Sequence, residues 1–373
     1  MVESLGVALP NHKVEWTVLI VTYPFFSGIV AGSTVISLLV YLLGYKNLAH
    51  LERVGHFVAL SCLLVAPLAP FFDLTMPARG FLVPFYPNLS SPIFLFFVFW
   101  TLLFIVMLLK SYFLLRRDFI GRAKEGGFFG SLAGFLTFGA RDVNPEEDDK
   151  KVRFWALISF PLAFAFTGYV GFLLSAMQAV PMWGSHILIP VFLVSAVVSG
   201  IGASLFFYLV GNSFQEISVR AEDLRLPVVI MAVFAGLDLL LLFLEIILEW
   251  YWNTAHWPLL ASAMGANLLS YLIAILALLF VFLGGFTGLG RSTGGITLLS
   301  IASLLGIYAM RWITVIPPQM VDKGGRAVVS PHIKLIGREG FSEVIALFLL
   351  GLFFILLFAS VAGWRSTHHK EVT

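Results

Sequence analysis

Charge and sulfur are what this 373-residue chain has least of. Asp, Glu, Lys and Arg make up 12% of it, about half the share of an ordinary soluble domain. So few charges cannot solvate a globular surface, which excludes a soluble enzyme. An apolar content of 59% excludes disorder, which needs the opposite balance. Net charge is +2 with no basic cluster, so no nucleic-acid surface is expected. One cysteine, Cys62, can neither close an internal disulfide nor hold an iron–sulfur cluster. The eight histidines are His12, His50, His56, His186, His256, His332, His368 and His369. Most fall in loops or at helix ends, and no pair sits inside helices as a membrane haem would need. Any redox role therefore borrows centres from a partner or uses a diffusible carrier. The amino terminus lacks a basic region before a short apolar run, which argues against a signal peptide.

What is abundant is apolar and aromatic: 37 Phe, 10 Tyr and 9 Trp suit lipid-facing helices with interfacial aromatics. A helix needs about 20 apolar residues to cross the hydrocarbon core. Long stretches with few or no charges predict an all-α polytopic membrane protein with nine spans, at 16–43, 54–72, 92–115, 154–177, 186–210, 227–250, 258–283, 296–316 and 343–363. The expected organisation is a segment 1–15, a four-helix bundle 16–177 with a loop 116–153, and a second bundle 186–316. A loop 317–342 and a ninth helix with its tail, 343–373, complete it. Nine spans put the termini on opposite sides. With the N-terminal side called face A and the other face B, B receives 16 of the 23 Lys and Arg and A receives 7. The positive-inside rule then makes B cytoplasmic and A the outer face of the cell membrane. The charge run Pro145–Lys151 reads as a solvated loop. A faint internal echo links Ser27–Ser33 in the first span with Ser199–Ser204 in the fifth. It reads equally as a duplicated bundle or as the small residues of close helix packing.

The span 227–250 carries Asp238, Glu245 and Glu249. Their spacing places all three on one helical face. Each such residue costs roughly 2.5–3.5 kcal/mol near the bilayer centre. The stripe therefore reads as a proton route or the lining of a polar cavity, although Glu249 beside Trp250 and Trp252 also suits a plain interface. Asp238 falls near mid-span and Glu245 about 10 Å further toward face A, so the stripe is expected to link an outer pocket to the cytoplasm. Topology gathers most other unusual polar residues at face A: Asn11, His12, Glu15 and Trp16; Asp73 and Arg79; Tyr169, Gln178, Trp183 and His186; Arg311, Trp312 and Gln319. Such residues offer a quinone hydrogen bonds to its carbonyls and a proton donor or acceptor. They equally describe an aromatic belt with snorkelling arginine.

Four stretches resemble, in order and spacing, integral membrane subunits of the NrfD/polysulfide-reductase type. They are Glu15-Trp16 with Pro24-Phe25-Phe26-Ser27-Gly28 and Ala31-Gly32; Asp73-Leu74 and Pro77, followed by Ser90-Ser91-Pro92; Tyr169, Gly171-Phe172-Leu173-Leu174, Pro181, Trp183, Pro190, Phe192, Ser195-Ala196 and Gly200; and Arg311 with Gln319. Together they cover most of 15–320. The resemblance implies a subunit without redox centres of its own, in a respiratory oxidoreductase complex of anaerobic respiration. It would bind quinone or quinol, menaquinone or ubiquinone, near the face where a ferredoxin-like iron–sulfur subunit docks, with further catalytic subunits beyond. Tyr169 matches the family's pocket tyrosine and His12 its amino-terminal histidine. The expected quinone site is then His12, Glu15, Trp16, Asp73, Tyr169, Trp183, Arg311 and Gln319, with Asp238, Glu245 and Glu249 for proton transfer and no metal. Thr75 and Met76 depart from the family's glycine and basic residue. A ninth helix looks like the longer branch found with hydrogenase and sulfite-reduction complexes. Two other classes stay open: an ion- or proton-coupled transporter using the same carboxylates, and a purely structural anchor. Transport would favour a helix broken near the midplane, but Gly284-Gly285 and Gly294-Gly295 fall at span ends.

Overall fold

The structure is a computed structural model and describes residues 14, 16–140, 143–180, 182–252, 256–322, 326–331 and 333–364. His12, Glu15 and Pro181 lie outside the described residues, as does the tail from 365. Among the described residues nine helical stretches are long and apolar enough to cross a membrane, in the order expected. The helices are α1 Val18–Tyr41, α2 Ala49–Val65, α3 Leu68–Asp73, α4 Pro77–Gly80, α5 Pro92–Ala123, α6 Gly127–Leu136, α7 Pro145–Ser175, α8 Leu188–Phe214, α9 Arg225–Trp252, α10 Trp257–Ala266, α11 Leu268–Phe286, α12 Thr293–Met320 and α13 Phe341–Ala362. Their starts follow local chemistry. Thr17, Ser91, Asn144 and Ser292 each accept a hydrogen bond from a first-turn amide, and Pro92 and Pro145 occupy the first helical position, where no N–H is needed.

The boundaries depart from expectation where charges are paired. Helix α5 continues to Ala123 and α7 begins at Pro145, so nearly half of the expected loop 116–153 belongs to these two helices. Arg116 of α5 bonds Asp148 of α7, and Arg117 bonds Asp149 at 2.8 Å. The short α6 fills much of what remains. Helix α12 runs through Pro317 and Pro318. The expected span 258–283 splits at Asn267, whose amide oxygen accepts from Trp312 Nε1 at 3.0 Å. Arg53, Lys110 and Arg311, which the face count includes, are buried inside helices; the basic excess on B survives their removal.

Helix α1 is the buried centre, packed against α2, α7, α8 and α12. Helix α5 lies on α7, and α8, α9, α11 and α12 pack in succession around one another. The two echoed small-residue segments turn out to face each other where α1 crosses α8. A Cβ on Gly32 would sit 1.9 Å from the Ala196 carbonyl oxygen, and one on Gly200 would sit 2.3 Å from the Ser33 amide. Only glycine permits that approach. Helix α13 rests on α2, α5 and α6. Arg53 donates to the carbonyls of Ala362 and Gly363 at its end, at 2.5 and 3.0 Å, and pairs with Asp118 at 2.7 Å.

Candidate functional site at face A

At face A the ends of α1, α3 and α12 meet the α7–α8 connection. The Trp16 and Trp183 rings lie 4.9 Å apart. The Trp16 amide donates to Gln319 Oε1 at 3.0 Å, and Gln319 Nε2 donates back to the Trp16 carbonyl at 3.4 Å. Thr17 Oγ1 donates to Asp73. Trp183 Nε1 donates to the Thr314 carbonyl at 2.6 Å. Pro318 explains that last bond: it has no N–H, so the carbonyl four residues earlier loses its helical donor. The expected residues Trp16, Asp73, Trp183 and Gln319 therefore form one cluster. Beside it, the segment 72–89 presents Phe81, Leu82, Phe85 and Tyr86 as exposed apolar groups.

Two other expected residues sit apart from that cluster. The Tyr169 hydroxyl donates to the Pro92 carbonyl at 2.9 Å, and its ring lies between Phe99 and Phe172, against α5. Arg311 is fully buried, more than two turns below Gln319 along α12. Its guanidinium stacks 3.9 Å from the Phe192 ring centroid and donates to Ser195 Oγ. It interacts electrostatically with Asp238 of α9 and Tyr23 of α1.

Asp238, Glu245 and Glu249 all face inward, at 0%, 5% and 8% exposure. Glu245 and Glu249 line a cavity of about 670 Å³, together with Gln178, Ser185, His186, His256 and Asp322. Its apolar walls include Met182, Leu248 and Trp252. That volume is in the range of small-molecule sites, roughly 300–1,000 Å³. Asp238 lies below the cavity, and α9 runs unbroken through it. Among the described residues no group of three or more His, Cys, Asp or Glu is arranged to hold a metal ion.

A second buried polar network was missed by the sequence reading. Lys110 donates to Glu52 at 2.6 Å and to Ser37 at 2.7 Å, and both charges are 1% exposed. Ser37 and Tyr41 also donate to Glu52. His56 bonds Ser111 at 2.7 Å one turn away. The available signal was Lys110, the one charge within 92–115, with Glu52-Arg53 just ahead of the next apolar run.

A family model described as "Polysulphide reductase, NrfD" matches residues 7–322, which leaves α13 outside the match. The C subunit of the selenate reductase of Mesobacillus selenatarsenatis is 27% identical over 87% of this chain and 76% of that protein. The C chain of the polysulfide reductase of Wolinella succinogenes is 26% identical over 57% of this chain and 63% of its own length. An NrfD homolog of Haemophilus influenzae is 26% identical over 85% of this chain and 99% of its length.

Proposed function

The chain belongs to the NrfD (polysulphide reductase) family, and from that premise we propose that it is the quinone-reactive membrane subunit of a reductase complex. It exchanges two electrons and two protons between the quinone pool and an iron–sulfur partner. Face A is the outer side of the cell membrane and face B the cytoplasmic side. The observation that carries the reading is the hydrogen-bonded cluster of Trp16, Thr17, Asp73, Trp183 and Gln319, assembled at one face from segments far apart in sequence. It offers a quinone head group an aromatic wall and hydrogen-bonding groups, and the apolar segment 72–89 beside it offers surface for an isoprenoid tail or a docked subunit. The names of the relatives, components of a selenate reductase and a polysulfide reductase, support a reductase partner. Quinol oxidation releases two protons with its two electrons. The electrons pass to the partner's cluster, which must dock on face A to be within reach. The protons pass to carboxylates and histidines at that face.

Purification from native membranes in mild detergent tests this. Co-recovery of an iron–sulfur protein together with extractable quinone is expected. Recovery of the chain alone, free of quinone, would count against the proposal. In the assembled complex, Asp73→Asn should lower the quinol-coupled rate about tenfold, equivalent to about 1.4 kcal/mol, and Tyr169→Phe tests whether the site extends from the cluster to the α5 side, where that hydroxyl lies. An unchanged rate for either variant removes that residue from the quinone site.

A further inference from the structure

The carboxylate stripe of α9 has a direction. Above Asp238, toward face A, come Glu245, Glu249 and the cavity. Below it, toward face B, residues 226–237 contain no titratable group. The buried residues there are Pro227, Val228, Met231, Ala232 and Ala235. Ser199, Ser300 and Ser303 on the neighbouring helices donate to carbonyls of their own helices. The B half of this packing is apolar or internally satisfied.

The A half is not satisfied. Three buried side chains beneath the cavity carry polar atoms with no hydrogen-bond partner among the described residues. They are both carboxylate oxygens of Asp238 on α9, the hydroxyl of Tyr271 on α11, and Nε and Nη1 of Arg311 on α12. Native interiors leave very few such atoms unpaired, and bound water is the usual partner where the site is polar. These atoms form a series. Glu245, Glu249 and Asp238 share one face of α9, Glu245 interacts electrostatically with Tyr271, and Asp238 does so with Arg311. Arg311 also interacts electrostatically with Tyr23 and donates to Ser195 Oγ.

We infer that the cavity between 178–187 and α9 is the face-A mouth of a water-filled proton path that ends blind at Asp238 and Arg311. Protons enter by way of His186, His256, Glu249 and Glu245, and Tyr271 and water relay them to Asp238. Arg311 keeps the terminal carboxylate chargeable in the membrane and lets a proton bind and leave without opening the B half. This rests on reading the α9 carboxylates as proton carriers. It does not depend on where quinone binds.

Cysteine accessibility in sealed vesicles of both orientations, carrying the assembled complex, tests the path. The single native thiol, Cys62, is buried and gives little background. Glu245→Cys and Leu248→Cys should react with a membrane-impermeant, water-soluble thiol reagent applied from face A and not from face B. Ala235→Cys, below Asp238, should react from neither. Reaction of Glu245→Cys only from face B, or of neither cavity variant, overturns the inference. A second measurement needs no variant. Dicyclohexylcarbodiimide captures protonated carboxyls in apolar surroundings, and mass spectrometry locates the adduct. An adduct on Glu245 or Asp238 that follows the pH on face A alone supports the path. Dependence on the pH at face B, or no adduct at either residue, overturns it. Missing quinone alongside intact labelling would count against the quinone reading alone.

Discussion

Pro318 and Trp183 work as two halves of one joint. The proline strands the Thr314 carbonyl, and the indole supplies the missing hydrogen. Trp183→Phe should leave a buried acceptor unpaired, a loss of about 1–3 kcal/mol. Pro318→Ala in the same chain returns an amide N–H to α12 and should recover much of that loss. Melting of the purified complex carrying each single change and the pair measures the coupling; strictly additive effects would dismiss the joint. The Glu52–Lys110 pair follows the same logic. Lys110→Met leaves a buried carboxylate without its cation and should cost about 3–5 kcal/mol. The double variant with Glu52→Gln should restore most of the folded protein in the membrane, since it removes both charges together. If the double is as poorly folded as the single, the pair is not what holds these residues in place.

Helices α1 and α8 meet at Gly32 and Gly200, where a single methyl group has no room. Gly32→Ala or Gly200→Ala should force the helices apart, at about 1–3 kcal/mol or more, with lost yield and a lower melting temperature. Gly351→Ala on α13, where a Cβ meets nothing within 4 Å, should be silent. Equal behaviour of the three would remove the crossing as a constraint. The number and order of membrane helices were legible in the sequence, because unpaired charge is excluded from lipid and its absence marks each span. Their ends were not. Arg116, Arg117, Asp148 and Asp149 neutralise one another between α5 and α7, so helix continues where charge density read as loop. Pro317-Pro318 stand where the expected span 296–316 ends, yet the hydrogen bond lost at Thr314 is replaced by a residue from another segment, which no local pattern reveals. The inward face of Asp238, Glu245 and Glu249 was legible from helical periodicity. The cavity they open into was not, because its other walls come from the α7–α8 connection, His256 and Asp322.

The two faces of the molecule differ in character. Face B is knitted by ion pairs among α2, α5 and α7, and α13 closes over them through Arg53. Face A carries the polar cluster, the cavity and exposed apolar groups that include Leu335 and Ile336. A partner docked there should be lost on Leu335→Asp with Ile336→Asp, while the chain's own amount in the membrane stays normal. Copurification reads this, and an intact complex would move the docking surface elsewhere. The paired charges also carry a consequence for biogenesis. Glu52 is synthesised 58 residues ahead of Lys110, and Asp238 well ahead of Arg311. Each therefore reaches the membrane before its counterpart exists, at a cost that rises to roughly 2.5–3.5 kcal/mol for a charge near the bilayer centre, until the ribosome delivers that counterpart. Helices α2 and α9 are incomplete as membrane segments when they first emerge, and their residence depends on a later part of the same polypeptide. In pulse–chase experiments, a nascent chain ending after Asn88 should be degraded faster than one ending after Ala140, which already contains Lys110. Equal lifetimes would mean that Glu52 is sheltered during synthesis by something other than its final partner.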